Sequence, residues 1–469
     1  MHLLILLAVL AALVSAEGQV QTAVPAGFQR LLLTLTGLAI VSSAAWVVSA
    51  ATSYSLYRNV GARRLVLERF EKLQFAHTLL WLGVSAVILF GLEWAAVVRG
   101  NWKLDGTFLI DELLIVAPVL LGQIFSWAVF YDVDCAVRNT TPHSHVPSES
   151  TLSRGGFVAL HARHYFGLVL IPLLAVFAAR DLSEIAAPQS FADGPPWGAF
   201  LLVLAAVGFT YPLLLRFTWD TQPLSHGSLR QSLEDTQTEQ RVKTREILVW
   251  RTNGRIVNAA VTGAVPLLRY VFLSDGLLRR LSDGQIVAIF KHELGHVRCR
   301  HPQLRLLALA APLAVWQATT TLAPDLVDQM NESVHALSGG NWLLSLLIPL
   351  SALGLYGVTF FCWYARVMEF QADLNACGIY GGRTVPSDDQ QEQARVLVSA
   401  LYRLTQINGE SGAGLLHPSL GARITFIRHA MRSQQTAYRF EARMRLIAAL
   451  LIVTVAIGFL VPLINLLSL

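Results

Sequence analysis

The stretch SDGQIVAIFKHELGH, residues 282–296, contains both a helix start and a metal motif. Ser282 followed three residues later by Gln285 forms a capping box, and Asp283 puts negative charge in the first turn, so the pattern predicts a helix over about 283–300. On that helix His292 and His296 stand one turn apart on one face, where two imidazoles can converge on a cation, with Glu293 beside them. Zinc lowers the pKa of a bound water toward about 7, and a neighbouring carboxylate can take its proton during attack on a peptide carbonyl. Taken alone, the pentapeptide is also compatible with a surface helix that holds no metal. A catalytic zinc keeps three protein ligands, so the decision passes to the rest of the chain.

Outward from this helix the composition is that of a membrane protein. Of 469 residues 54% are apolar and only 14% charged, against about 25% charged in average soluble domains. Apolar runs of about 20 residues, each long enough to cross a bilayer, recur along the chain. Spans are expected at 28–53, 76–98, 110–132, 159–179, 196–216, 303–323, 342–364 and 443–467. Residues 1–16 read equally as a cleaved signal peptide or as a short first helix, being apolar but lacking a basic n-region. The net charge of +5, from 36 basic and 31 acidic residues, lies in loops between spans rather than in a basic stripe, which argues against nucleic acid. Four cysteines without a C-x-x-C pair give neither a disulfide scaffold nor a thiolate zinc site.

The basic loops also set orientation. Arg58, Arg63, Arg64, Arg69 and Lys72 follow the first span and Arg138 and Arg154 the third, whereas 181–195 and 324–341 contain no Lys or Arg. This places the polar segments 217–302 and 365–442 together on the cytoplasmic side. The expected organisation is a multi-span membrane region at 17–216, a metallopeptidase domain at 217–442 interrupted by the spans 303–323 and 342–364, and a last membrane helix at 443–469.

Within the second polar segment, Glu369 is the best candidate for a third ligand, and Asp373, one turn on, could accept the second ring N–H of a ligand histidine. Unaided, this carboxylate pair reads better as a solvated helix face. The stretches 246–252, 258–263 and 270–274 read as short strands, a small sheet that could hold an extended peptide by strand addition beside the metal.

Five segments occur in order: NAAVTG at 258–263, VFLSDGLL at 271–278, HELGH at 292–296 with Arg300 and His301, EFQAD at 369–373, and HPSLGARI at 417–424. Together they resemble the M48 family of membrane zinc metallopeptidases, which includes the HtpX and CaaX prenyl proteases. The resemblance implies a zincin-like (gluzincin) α+β metallopeptidase domain within a predominantly α-helical multi-pass membrane protein. It further implies one Zn2+ per chain held by His292, His296 and Glu369, with Glu293 as general base and Asp373 behind the ligands. His417 would stabilise the oxyanion, Arg423 would be a buried partner of the acidic motif, and Asn258 and Ala259 would belong to the substrate-side strand. The first 216 residues do not match the HtpX or CaaX arrangement and name no substrate.

The expected function is an integral-membrane zinc endopeptidase acting on membrane or membrane-proximal polypeptides, in processing or quality control, with its site on the cytoplasmic face of a bacterial cytoplasmic membrane. Its partners are then a polypeptide substrate and the lipid bilayer. A signalling receptor with a metallopeptidase-type site is an alternative, but it needs a sensor domain, and outer loops under about 25 residues are too short for one. A non-catalytic scaffold or transporter is the other, against which the intact motifs speak. His143 and His145 read as loop histidines, and His161 and His164 as interfacial anchors. Glu93, Asp111 and Glu112 lie near span ends, where an intramembrane carboxylate is a functional candidate and one at the boundary is simply solvated; both readings stand.

Overall fold

In hydrocarbon every backbone N–H and C=O must be satisfied within its own segment, so uninterrupted apolar runs fold as helices. A computed structural model describes residues 8–9, 12, 25–58, 60–139, 152–186, 197–379, 386–408 and 414–467. Most of the 1–16 segment, together with His143 and His145, lies outside the described residues. The chain divides into two units, Met1–Asp220 and Thr221–Leu469.

The first unit is built from helices α1 (Gly27–Arg58), α2 (Arg63–Ala86), α3 (Ile110–Asn139), α4 (Arg154–Ala186) and α5 (Trp197–Thr218). Gly122 lets the Trp81 ring pack directly on α3, where its indole N–H donates to the Val119 carbonyl at 3.0 Å. The second expected span, 76–98, is displaced: helix begins at Arg63, passes through a π-turn at Val87–Gly91, and ends before Glu93, whose φ of 47° breaks it. Of the two sequence readings of Asp111 and Glu112, the solvated one does not hold. Both are buried against Arg99, whose guanidinium lies 2.7 Å from Asp111 and 3.6 Å from Glu112.

The second unit holds a four-stranded sheet of β1 (Thr221–Pro223), β2 (Glu246–Trp250), β3 (Ala259–Thr262) and β4 (Tyr270–Ser274) in the order β1-β2-β4-β3. β2 and β4 pair in parallel, Ile247 opposite Val271, and are buried almost throughout, as parallel strands covered on both faces should be. β3 pairs with β4 antiparallel, Val261 opposite Val271, and is one of the two edge strands.

Beside a short helix at Asp275–Arg280, the unit holds helices α6 (Ser228–Gln240), α7 (Asp283–Arg298), α8 (His301–Leu322), α9 (Pro324–Ser338), α10 (Trp342–Tyr356), α11 (Cys362–Ala376), α12 (Asp388–Asn408), α13 (Leu420–Arg432) and α14 (Gln434–Leu467). Its main core joins Ile247, Val271 and Leu273 of the sheet to Leu233 of α6, Ile286, Phe290 and Leu294 of α7, Leu374 of α11, Leu397 of α12 and Ile427 of α13. This core fixes α7 beside α11. A separate cluster of Ala308, Ala311, Tyr364, Met368, Met444 and Leu451 binds α8, α11 and α14.

Helix occupies each of the eight apolar segments expected from the sequence. Among the described residues five helices, Gly27–Arg58, Arg63–Gly91, Ile110–Asn139, Leu347–Ala376 and Gln434–Val461, are long and apolar enough to cross a membrane. The pair α8 and α9, bent by 114°, makes a sixth if counted as one.

Candidate active site

α7 begins as its sequence requires. The Ser282 hydroxyl accepts from the Gln285 amide, and the Gln285 side chain accepts from the Ser282 amide. Farther along, the helix presents His292 and His296, both buried, to the facing surface of α11, which supplies Glu369. The close approach depends on Gly295, where an added Cβ would stand 3.1 Å from Asn375 Cβ and 3.2 Å from Ala372 Cα.

His292, His296 and Glu369 form a cluster able to hold a metal ion. The two Nε2 atoms are 3.3 Å apart, and each lies 3.5 Å from a Glu369 carboxylate oxygen. Tetrahedral zinc with ligand bonds of about 2.0–2.1 Å sets its ligand atoms about 3.3–3.4 Å from one another, so the spacing and donor types suit that ion.

Behind these groups stands an ionic support. His292 Nδ1 lies 2.9 Å from Asp373 Oδ1, leaving Nε2 turned to the cluster. Asp373 is fully buried and is held by both arms of Arg423, with Nε donating to Oδ2 at 2.8 Å. Burial works against a charge on His292, but the hydrogen bonds to Asp373 and Glu369 outweigh it and carry the imidazole up to about 9. For His296 burial prevails, placing its pKa well below the ordinary value and keeping the ring neutral with a lone pair to give.

Glu293 points to the other side. Its Oε2 accepts the Val261 backbone N–H at 3.2 Å, which ties the carboxylate to the open edge of β3. Burial raises its pKa above the usual carboxylate value, opposed by the His292 charge and the Val261 N–H. His417 Nδ1 lies 3.1 Å from Glu369 Oε2 with most of its ring exposed. Asn258 is exposed just before β3, its side chain accepting the Ala259 amide, while the Ala259 side chain is turned into the core. The structure therefore gathers His292, Glu293, His296, Glu369, Asp373, His417 and Arg423. It leaves Asn258 and Ala259 on the strand that approaches Glu293 through Val261.

Three participants, Arg305, Gln371 and Glu441, escaped sequence reasoning. Arg305 lies 3.4 Å from Glu369. His301 was read only as part of a motif; it meets His296 because Arg300, at φ 58°, breaks the helix and starts another. Gln371 and Glu441 continue from His301. A histidine at the first position of a new helix was the only local signal for any of them.

Residues 223–431 match the family described as Peptidase family M48. The CAAX prenyl protease 1 homolog of Arabidopsis thaliana is 24% identical over 326 residues, covering 62% of this chain and 70% of that protein. Protease HtpX of Pseudomonas entomophila is 25% identical over 257 residues, covering 49% and 85%. The crystal structure of S. mikatae Ste24p aligns over 83% of this chain and 98% of its own at 16% identity and a TM-score of 0.38. Residues 223–431 thus resemble a peptidase family M48 domain, and the chain that carries them is a membrane metalloprotease.

Proposed function

We propose that this chain is a zinc-dependent endopeptidase of membrane or membrane-proximal polypeptides, with the zinc held by His292, His296 and Glu369. The observation that carries the reading is the spacing of 3.3 to 3.5 Å among two imidazole nitrogens and a carboxylate, with Glu293 fastened beside them to an edge strand. Bound there, zinc would polarise the scissile carbonyl and acidify a water.

The protein's own groups do the rest. An extended peptide adding to β3 aligns its backbone with the strand, because alternate residues of an antiparallel edge turn N–H and C=O outward and Val261 is one of these. Glu293 takes the proton of the attacking water and delivers it to the leaving amine, a contribution of about 10²–10⁴-fold. His417, exposed beside Glu369, is placed to donate to developing negative charge on the carbonyl oxygen. Backbone pairing tolerates varied side chains, which favours processing or quality control over strict sequence specificity.

Residues 217–442 serve as the metallopeptidase domain, interrupted by two membrane helices; α8 and α10 lead the chain away from α7 and back to α11, so both halves of the site lie on one side. The excess of Lys and Arg in alternate loops of the sequence supports a site on the cytoplasmic face, in our reading that of a bacterial cytoplasmic membrane. The test is Glu293→Gln in the full chain, with proteolysis of a membrane-protein substrate and zinc content both measured. Proteolysis should vanish while zinc is retained; cleavage at the normal rate by this variant rules the mechanism out.

A further inference from the structure

Behind His296 a hydrogen-bonded chain leads away from the cluster and ends on a carboxylate of a membrane helix. His296 Nδ1 lies 2.7 Å from His301 Nδ1, and His301 Nε2 lies 3.0 Å from Gln371 Oε1. Gln371 Nε2 then donates to Glu441 Oε2 at 2.8 Å. All four side chains are buried, and Glu441 belongs to α14.

The chain has one direction once His296 holds a metal. An imidazole that gives its Nε2 lone pair to a cation keeps its proton on Nδ1, so His296 donates and His301 must accept at Nδ1. His301 then carries its own proton on Nε2 and donates it to the Gln371 carbonyl. That contact turns the Gln371 amide so that its N–H groups face Glu441. Each link thus donates toward the next, and an anion at the end polarises all of them in the sense that makes His296 a stronger donor to the metal. As a mere packing element Glu441 is poorly chosen, because its Oε1 is buried with no hydrogen-bond partner among the described residues. An apolar side chain of similar volume would serve packing at least as well.

We propose that Glu441 is a positioning residue for the zinc ligand His296, acting through Gln371 and His301, so that α14 helps set the metal affinity of the site. This rests on the zinc reading above. The test uses the full-length detergent-solubilised chain, with zinc affinity measured by chelator competition and the cobalt-substituted absorption spectrum recorded. Glu441→Leu leaves the Gln371 amide without its acceptor and should weaken zinc about 10–100-fold and shift the cobalt bands. Glu441→Gln keeps an acceptor without the charge and should fall between; as a near-isosteric change it carries the test if the leucine variant fails to fold. Adding Glu441→Leu to His301→Phe should cost little beyond His301→Phe alone, because one path is already cut. Wild-type zinc affinity in both Glu441 variants overturns the proposal while leaving the zinc reading intact. Failure of the wild-type chain to bind zinc overturns that reading, and this proposal with it.

Discussion

Gly295 lies so close to Asn375 that a Cβ at position 295 would stand 3.1 Å from both the Cβ and the Nδ2 of Asn375. The absence of that one carbon lets α7 and α11 approach closely enough for Glu369 to meet His292 and His296. Gly295→Ala asks its neighbours to yield by a few tenths of an ångström and should retain most activity. Gly295→Val cannot be absorbed so locally: overpacking of about 1–3 kcal/mol is expected, together with at least tenfold weaker zinc binding as the helices separate. Metal content and melting temperature of the purified variants check both; full zinc affinity with valine would show that the helix spacing does not set the site.

Arg423 is the counter-charge for Asp373, which has no exposed surface. Arg423→Ala strands a buried carboxylate and should destabilise the fold by about 3–5 kcal/mol, whereas Asp373→Asn in the same chain should recover part of the loss by removing the charge. Thermal denaturation of the two variants in detergent separates the outcomes. Equal melting temperatures for the single and double variants would mean that the pairing contributes little.

The parts of the site legible in the sequence are those set by local spacing. His292, Glu293 and His296 fall on one helix whose start is written in Ser282 and Gln285, and the apolar runs announce the helices that carry the domain. Glu369 was a candidate from the sequence but favoured over a solvated face only with the resemblance, because a carboxylate on a helix looks the same whether it faces water or a metal. What stayed hidden was contact between distant segments: His301 and Gln371 are separated by 70 positions, as are Gln371 and Glu441, and no periodicity encodes such pairs. α9 was hidden for a different reason. Its segment was read as a loop through its lack of basic residues, although Leu326, Met330, Val334 and Leu337 recur at helical spacing.

The opposed behaviour of the two ligand histidines predicts how metal affinity responds to pH. His292, carried up to about 9, holds a proton at neutral pH that a metal must displace, while His296, pushed well below the ordinary value by burial, holds none. Apparent zinc affinity should therefore rise about tenfold per pH unit on approaching pH 9 from below, and level off above it. Chelator competition between about pH 6.5 and 8.5 reads the slope directly. A slope near two would mean that both imidazoles are protonated; a slope near zero would mean neither is.

A further test concerns the pair of membrane helices behind the site. Ala308, Ala311 and Ala314 line α8 at three-residue intervals, and Gly458 of α14 faces the last of them. A Cβ on Gly458 would fall within 2.5 Å of the Ala314 Cα and carbonyl oxygen, so even alanine requires the backbones to move. Lipid tails are as apolar as the helices, and close packing of small residues is what holds such a pair together. Gly458→Val should lower the melting temperature and, by shifting α14 and with it Glu441, weaken zinc binding as well. Ala314→Gly should restore only part of either property, because the obstructing backbone atoms remain. An unchanged melting temperature in Gly458→Val would show that the two helices do not depend on this contact.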